Sequence, residues 1–239
     1  MTVSAARRAA YEVLLRVFEQ DAYADRAFRT AARDLDERDR AFAQRLAYGA
    51  VQRVRTLDHA IETLGKRPVR KLDPPVRAAL RLGAYQVGYT EVATHAAANE
   101  SVELVRRARL ERAVPFTNAV MRRLAAGMPD LLGALPDGPL KESYPDWIAD
   151  VWTRDFGADM ALELMRAQNE PLETVVRLVR GDPPGDATDV SGAYRVERVD
   201  EQAVADGRIW PQSRGSQLAG LVVGSQDGER VLDLCAAPG

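Results

Sequence analysis

One cysteine, Cys235, stands among 239 residues, so no disulfide can close within the chain and a cysteine-rich zinc site is excluded. Histidine is nearly as scarce: His59 and His95 are far apart and have no ligand spacing, so no metal is expected. No stretch approaches the roughly 20 unbroken apolar residues that a membrane span requires. Arg7 and Arg8 lie near the N-terminus, but Tyr11 and Glu12 follow where a signal peptide would place its apolar core. These absences lead to the expectation of a cytoplasmic protein with no membrane partner. Apolar residues make up 46% and charged residues 28% of the chain, which excludes global disorder.

Charge is plentiful and unevenly spread. The formal net charge is −2, yet residues 1–127 hold 23 basic against 15 acidic side chains, and the remainder holds 10 against 20. A basic half joined to an acidic half implies two modules, the first facing a polyanion. Of the 33 basic residues 30 are arginine, whose planar fork suits phosphate. Arginine bias can equally reflect genomic base composition, so charge alone leaves both readings open.

Apolar spacing predicts an amphipathic helix over residues 3–20, carrying Ala10, Val13, Leu14, Val17 and Phe18. A long helical stretch follows Asp36 through Phe42, Leu46, Val51, Leu57, Ile61 and Leu64 to Gly65. Asp73 before Pro74 marks another helix start, an acceptor preceding proline in the first turn. Further helices are expected over 95–109 and from Pro115 to Gly127. Residues 1–127 thus read as an all-α bundle expected to fold alone. Residues 127–139 contain three glycines and three prolines, a linker signature, so 128–143 is expected to separate two domains. Beyond it, helices starting at Pro145 and ending near Asn169 precede two β-branched segments, 173–180 and 194–199. A helix over 214–224 and a short strand, Val231–Cys235, complete an α+β second half over 144–226 and beyond. Trp147 and Trp152 sit at helical spacing beside Val151 and read as core packing rather than base-stacking residues. Arg77 and Arg81 share a helix face, and Arg106, Arg107 and Arg109 crowd another. These five are the candidate phosphate contacts, with a solvated helix face as the plainer alternative.

The strand Val231–Cys235 runs into Ala236-Ala237-Pro238-Gly239. An apolar strand followed by a small-residue loop is how a Rossmann-type sheet begins its ligand site, because small residues let the backbone approach the ligand. The string DLCAAPG resembles the first cofactor motif of S-adenosylmethionine-dependent RNA (cytosine-5) methyltransferases. Residues 144–157 (YPDWIADVWTRDFG) and 212–220 (QSRGSQLAG) are similar to segments of the same family, although Ser213 and Gly215 replace the usual Asp and Ala. Residues 46–58, 80–89, 95–104 and 116–124 are similar to a NusB-like RNA-binding bundle. Taken in order, these segments resemble the RsmB (Sun, Fmu) family of bacterial 16S rRNA methyltransferases across nearly the whole chain.

That resemblance implies a multidomain fold: an all-α NusB-like bundle, an α+β RRM-like subdomain, and from residue 227 the first strand of a Rossmann-like methyltransferase domain. It implies S-adenosyl-L-methionine as cofactor, with Cys235, Ala236, Ala237, Pro238 and Gly239 as its loop, and 16S rRNA or a small-subunit assembly intermediate as partner of a monomer. In the family a cysteine thiolate adds to C6 of the cytosine and a second cysteine assists release, a form of covalent catalysis. Both lie downstream of the first motif, so this chain is expected to carry no catalytic residue and to be inactive alone. Cys235 reads as cofactor-loop wall or a buried thiol, and Asp233 equally as a motif carboxylate or a turn residue. The rival readings are a stand-alone NusB-like RNA-binding or antitermination protein and a non-functional truncated product.

Overall fold

Ser4 begins the first helix: its hydroxyl accepts the N–H of Arg7, and α1 (Ala5–Gln20) ends where Asp21 turns left-handed at φ 51°. The computed structural model describes residues 3–170 and 173–234, which divide after Asn169 into two units. In the first, α2 (Ala24–Ala31) is a helix that apolar spacing did not signal, because only Ala27 and Phe28 are buried along it. Asp36 caps α3 (Glu37–Gln52) through the N–H of Asp39. The single long helix expected after Asp36 is broken at Arg53, where α4 (Val54–Gly65) starts.

Helix α5 (Pro74–Tyr89) starts after Asp73 as its sequence predicts, though Asp73 makes no capping bond and instead faces Arg112 at 3.6 Å. Every residue from Ala78 to Gln86 is buried, so α5 is the central helix of the unit. Its small residues make that feasible, and α1, α3, α4, α6 and α7 all pack against it. Where α3 crosses it, a Cβ on Gly49 would stand 2.0 Å from the Tyr85 hydroxyl, so only glycine fits. Leu14, Leu46, Leu57, Leu80, Met121 and Leu124 are fully buried around α5. Each such side chain contributes roughly 1.5–3 kcal/mol by leaving water.

Helices α6 (Thr94–Arg107) and α7 (Val114–Ala134) complete the bundle. Gly127 does not end α7, which continues two further turns through Pro129. The lost backbone hydrogen bond is tolerated because Met128, on the inner face, is fully buried. Residues 128–143 are therefore helix and packed chain rather than linker. Short α8 (Pro139–Glu142) is followed by α9 (Asp146–Phe156) and α10 (Ala158–Ala167), and all three belong to the first unit.

The physical reason is a dense set of polar contacts on the start of α4, which has no side-chain cap of its own. The Ser143 hydroxyl accepts the N–H of Arg55 at 3.0 Å, and Thr56 donates to the Leu140 carbonyl at 2.7 Å. Arg55 also binds the Tyr144 carbonyl and pairs with Asp146. Asn169 donates to both the carbonyl and the carboxylate of Glu142, which faces Arg53. Counted to Asn169, the unit holds 26 basic and 23 acidic residues, so the positive balance of residues 1–127 is reduced by more than half by the acidic residues of 128–169. Trp152 packs its ring against Tyr144, as expected, but Trp147 is 68% exposed on the outer face of α9 and is not a core residue.

The second unit is a four-stranded antiparallel sheet of order β2-β3-β1-β4, formed by β1 (Val175–Leu178), β2 (Asp186–Ala187), β3 (Ala193–Arg195) and β4 (Ile209–Pro211). Val176 pairs with Tyr194 on one side and Pro211 on the other. Helix α11 (Glu201–Ala205) connects β3 to β4 and buries Ala203 against Val176 and Ile209. The β1–β2 connection is a Gly- and Pro-containing loop. Helix α12 (Arg214–Val223) is capped by Ser213, which accepts the N–H of Ser216. Arg214 pairs with Glu173 and Asp189, and Arg195 with Glu173, fastening α12 to the sheet. The Arg195 hydrogen bond first, and Arg214 with it, hold the Glu173 carboxyl below its ordinary range. Residues 231–234, expected as a strand, join no ladder: Val231, Leu232 and Leu234 are exposed, and no described strand lies beside them to supply hydrogen bonds.

Candidate nucleic-acid interface

The five arginines singled out by sequence have three different fates. Arg81 is buried, and its guanidinium grips Asp58 with two bonds of 2.7 Å while lying over the Phe18 ring at 4.3 Å. Arg77 pairs with Glu19 at 2.6 Å. Both therefore tie helices together and are withdrawn from the surface available to a phosphate. Arg106 is half-exposed but bound to Glu103 at 2.7 Å and near Glu111; the Glu103 hydrogen bond raises its guanidinium further. Arg107 and Arg109 are exposed and make no ion pair among the described residues. Cys235, Ala236, Ala237, Pro238 and Gly239, assigned to the cofactor by resemblance, lie outside the described residues.

A different basic surface emerges where α4 ends. Lys66 turns left-handed at φ 58° after α4, and the loop that follows carries Arg67, Arg70 and Lys71, all exposed. Glu62 accepts the N–H of Val69 at 2.8 Å, which folds the loop back and spends that carboxylate on the backbone. Arg67 lies over the Phe116 ring at 5.6 Å, beside a cavity of about 280 Å³ that Arg67, Asp73, Arg112 and Phe116 line. Arg123 reaches the last turn of α4 through the Leu64 carbonyl. Loop 66–71, the exposed Arg112 (which also faces Asp73 at 3.6 Å) and Arg123 thus gather along the first half of α7. Four basic residues within six, Lys66 to Lys71, were the available signal. The helical-face criterion passed over them because they occupy a loop and a single 3-10 turn, Val69–Lys71, too short to show a face.

Residues 4–126, the helical core from α1 into α7, match the model of the NusB family. The chain belongs to the NusB family. Similarity to curated proteins extends beyond that NusB-family region. Ribosomal RNA small subunit methyltransferase B of Thermus thermophilus is 36% identical over 219 residues, covering 90% of this chain and 50% of the relative. A putative methyltransferase of Mycobacterium tuberculosis is 31% identical over 265 residues, covering 98% of this chain and 58% of the relative. The chain spans about half the length of the curated relatives it matches. Among solved structures, the crystal structure of a protein designated PH0851 aligns with a TM-score of 0.63, covering all of this chain and 60% of that one; at 17% identity it shows the fold alone. No described helix is long and apolar enough to cross a membrane, and the described residues contain no cluster of three or more potential metal-ligating residues.

Proposed function

We propose that the helical unit binds structured small-subunit ribosomal RNA, and that the chain is the RNA-recognition part of an S-adenosylmethionine-dependent rRNA (cytosine-C5) methyltransferase. The observation that carries this reading is the similarity to small-subunit rRNA methyltransferases over both units, not over the NusB-family bundle alone. That extent favours the enzyme family over a free-standing NusB-like antitermination protein. Exposed arginine and lysine around the start of α7 supply the electrostatic contact, since backbone phosphates dominate nucleic-acid affinity.

The cofactor places narrower demands. The described residues just before Cys235–Gly239 are open to solvent: Val231, Leu232 and Leu234 are exposed. A site for a ligand of this size must surround most of it. The cofactor reading therefore rests on the methyltransferase relatives and on the motif resemblance of residues 233–239.

Fluorescence anisotropy with a labelled small-subunit rRNA fragment tests the RNA reading. Affinity should fall with salt, log K decreasing by about 0.7–0.9 per phosphate neutralised for each tenfold rise in salt. The double variant R70A/K71A should bind several-fold more weakly and with a shallower salt slope. Absence of binding at low salt, or an affinity indifferent to salt, would overturn it.

A further inference from the structure

Helices α6 and α7 flank an open groove of about 420 Å³ whose polar lining is unspent. Its walls carry His95 and Asn99 from α6 and Asn118 and Arg122 from α7, over a floor of Ala98 and Ala125. None of these four polar side chains makes a hydrogen bond or ion pair among the described residues. Several other arginines of the bundle are consumed internally: Arg7 by Glu100 at 2.9 Å, Arg77 by Glu19, Arg81 by Asp58. The carboxylates nearest the groove along α6 are engaged in the same way. Glu100, next to Asn99, is bound to Arg7 and to the N–H of Ser4, and Glu103 is held by Arg106. No carboxylate among the described residues lines the groove, so the charge of Arg122 is left for an external anion.

The shape narrows the ligand. Alanines on both helices leave a shallow apolar floor on which a flat ring can lie. Two asparagine amides, one from each wall, each offer a donor and an acceptor, the pairing that reads the edge of a base. Histidine is among the side chains on which unstacked RNA bases pack. The first turn of α6 closes one end, and its N-cap, Ala93, supplies no side-chain acceptor to its N–H groups. We propose that this groove holds one unstacked nucleotide of RNA, the base over Ala98 and Ala125 with its edge on Asn99 and Asn118, and the phosphate on Arg122. The proposal rests on the RNA-binding reading above and adds to it a site that recognises a base, whereas the loop 66–71 meets only backbone charge.

The test uses the full chain and a small-subunit rRNA fragment carrying 4-thiouridine. After long-wave ultraviolet irradiation, cross-linked peptides should contain residues 95–99 or 118–122. In anisotropy titrations R122A should lose roughly tenfold in affinity and reduce the salt slope by about one phosphate, while R122K restores most of that slope. N118A should weaken binding severalfold at an unchanged slope, the signature of a base contact. Both positions lie toward the surface, and helical content by circular dichroism checks that the fold is retained. Wild-type affinity in R122A and N118A, with cross-links mapping elsewhere, overturns the groove and leaves RNA binding standing. A wild-type chain that binds no RNA overturns the wider reading itself. Unchanged RNA affinity together with loss of a protein partner in these variants assigns the groove to that partner and overturns the proposal.

Discussion

Replacing Arg81 by alanine should destabilise the bundle by about 3 kcal/mol while leaving the RNA affinity of the folded protein unchanged. Arg81 is 8% exposed and makes two parallel bonds of 2.7 Å to Asp58, with Phe18 beneath its guanidinium. Removing one partner of a buried pair typically costs about 3–5 kcal/mol, because the remaining charge is stranded. The Asp58 side chain is 23% exposed, so water recovers part of its solvation and the lower end applies. With a urea slope of about 2 kcal/mol per molar, the midpoint should fall by roughly 1.5 M. R81K should sit between the two, since an ammonium cannot make the bidentate contact. The double variant D58L/R81M, which leaves no stranded charge, should recover much of the loss. Urea unfolding followed by circular dichroism, paired with anisotropy below the transition, measures both quantities. An R81A protein that unfolds at the wild-type midpoint yet loses RNA affinity would refute the structural assignment and restore Arg81 to the phosphate surface.

Two further outcomes follow from packing and burial. G49A should lose about 1–3 kcal/mol, because its new Cβ would lie 2.0 Å from the Tyr85 hydroxyl and the ring must move; a gain in thermal midpoint, as for alanine at an exposed helical glycine, would contradict the close approach. Tyr11 has a buried hydroxyl with no hydrogen-bond partner among the described residues, and burial pushes its phenol up from 10.0 to about 12. Its neutral form is favoured in the folded state, so this stabilising contribution is complete below pH 10 and is lost as pH rises toward 12. Y11F should keep wild-type stability near neutrality and shed part of the alkaline loss; equal alkaline loss in both proteins, read from urea midpoints at pH 8 and 11, would exclude Tyr11 as a source.

What could be read from the sequence was local. The helix over α1 and the start of α5 at Asp73-Pro74 rest on side-chain spacing and on proline chemistry within one turn. The α+β character of the second half came from β-branched segments, and β1 falls inside one of them. Failures arose where distant residues decide. Proline and glycine over 127–139 suggested a linker, yet Met128 is fully buried and Ser143 docks on α4, and neither fact is visible in local composition. Arg77 and Arg81 form a correct helical pair, but the carboxylates that claim them, Glu19 and Asp58, come from α1 and α4. Trp147 failed for the opposite reason: it keeps the spacing of a core residue but is exposed within its unit. The polar lining of the α6–α7 groove also went unsignalled, because unpaired asparagine and arginine differ from paired ones only in three dimensions.

The borrowed cap of α4 also has a consequence in time. Its first N–H groups wait for a hydroxyl 88 residues further along, and the Thr56 hydroxyl for a carbonyl 84 residues away. During synthesis, α1 through α3 can collapse as soon as they emerge, whereas the leading turn of α4 has no internal acceptor until Ser143 has left the ribosome. Closing so long a loop carries an entropic cost that only the finished contacts repay. The N-terminal turn of α4 should accordingly be among the last parts of the bundle to gain amide protection, later than helices on either side of it. A nascent chain paused before residue 143 would display that frayed turn to chaperones, and release of the pause would bury it.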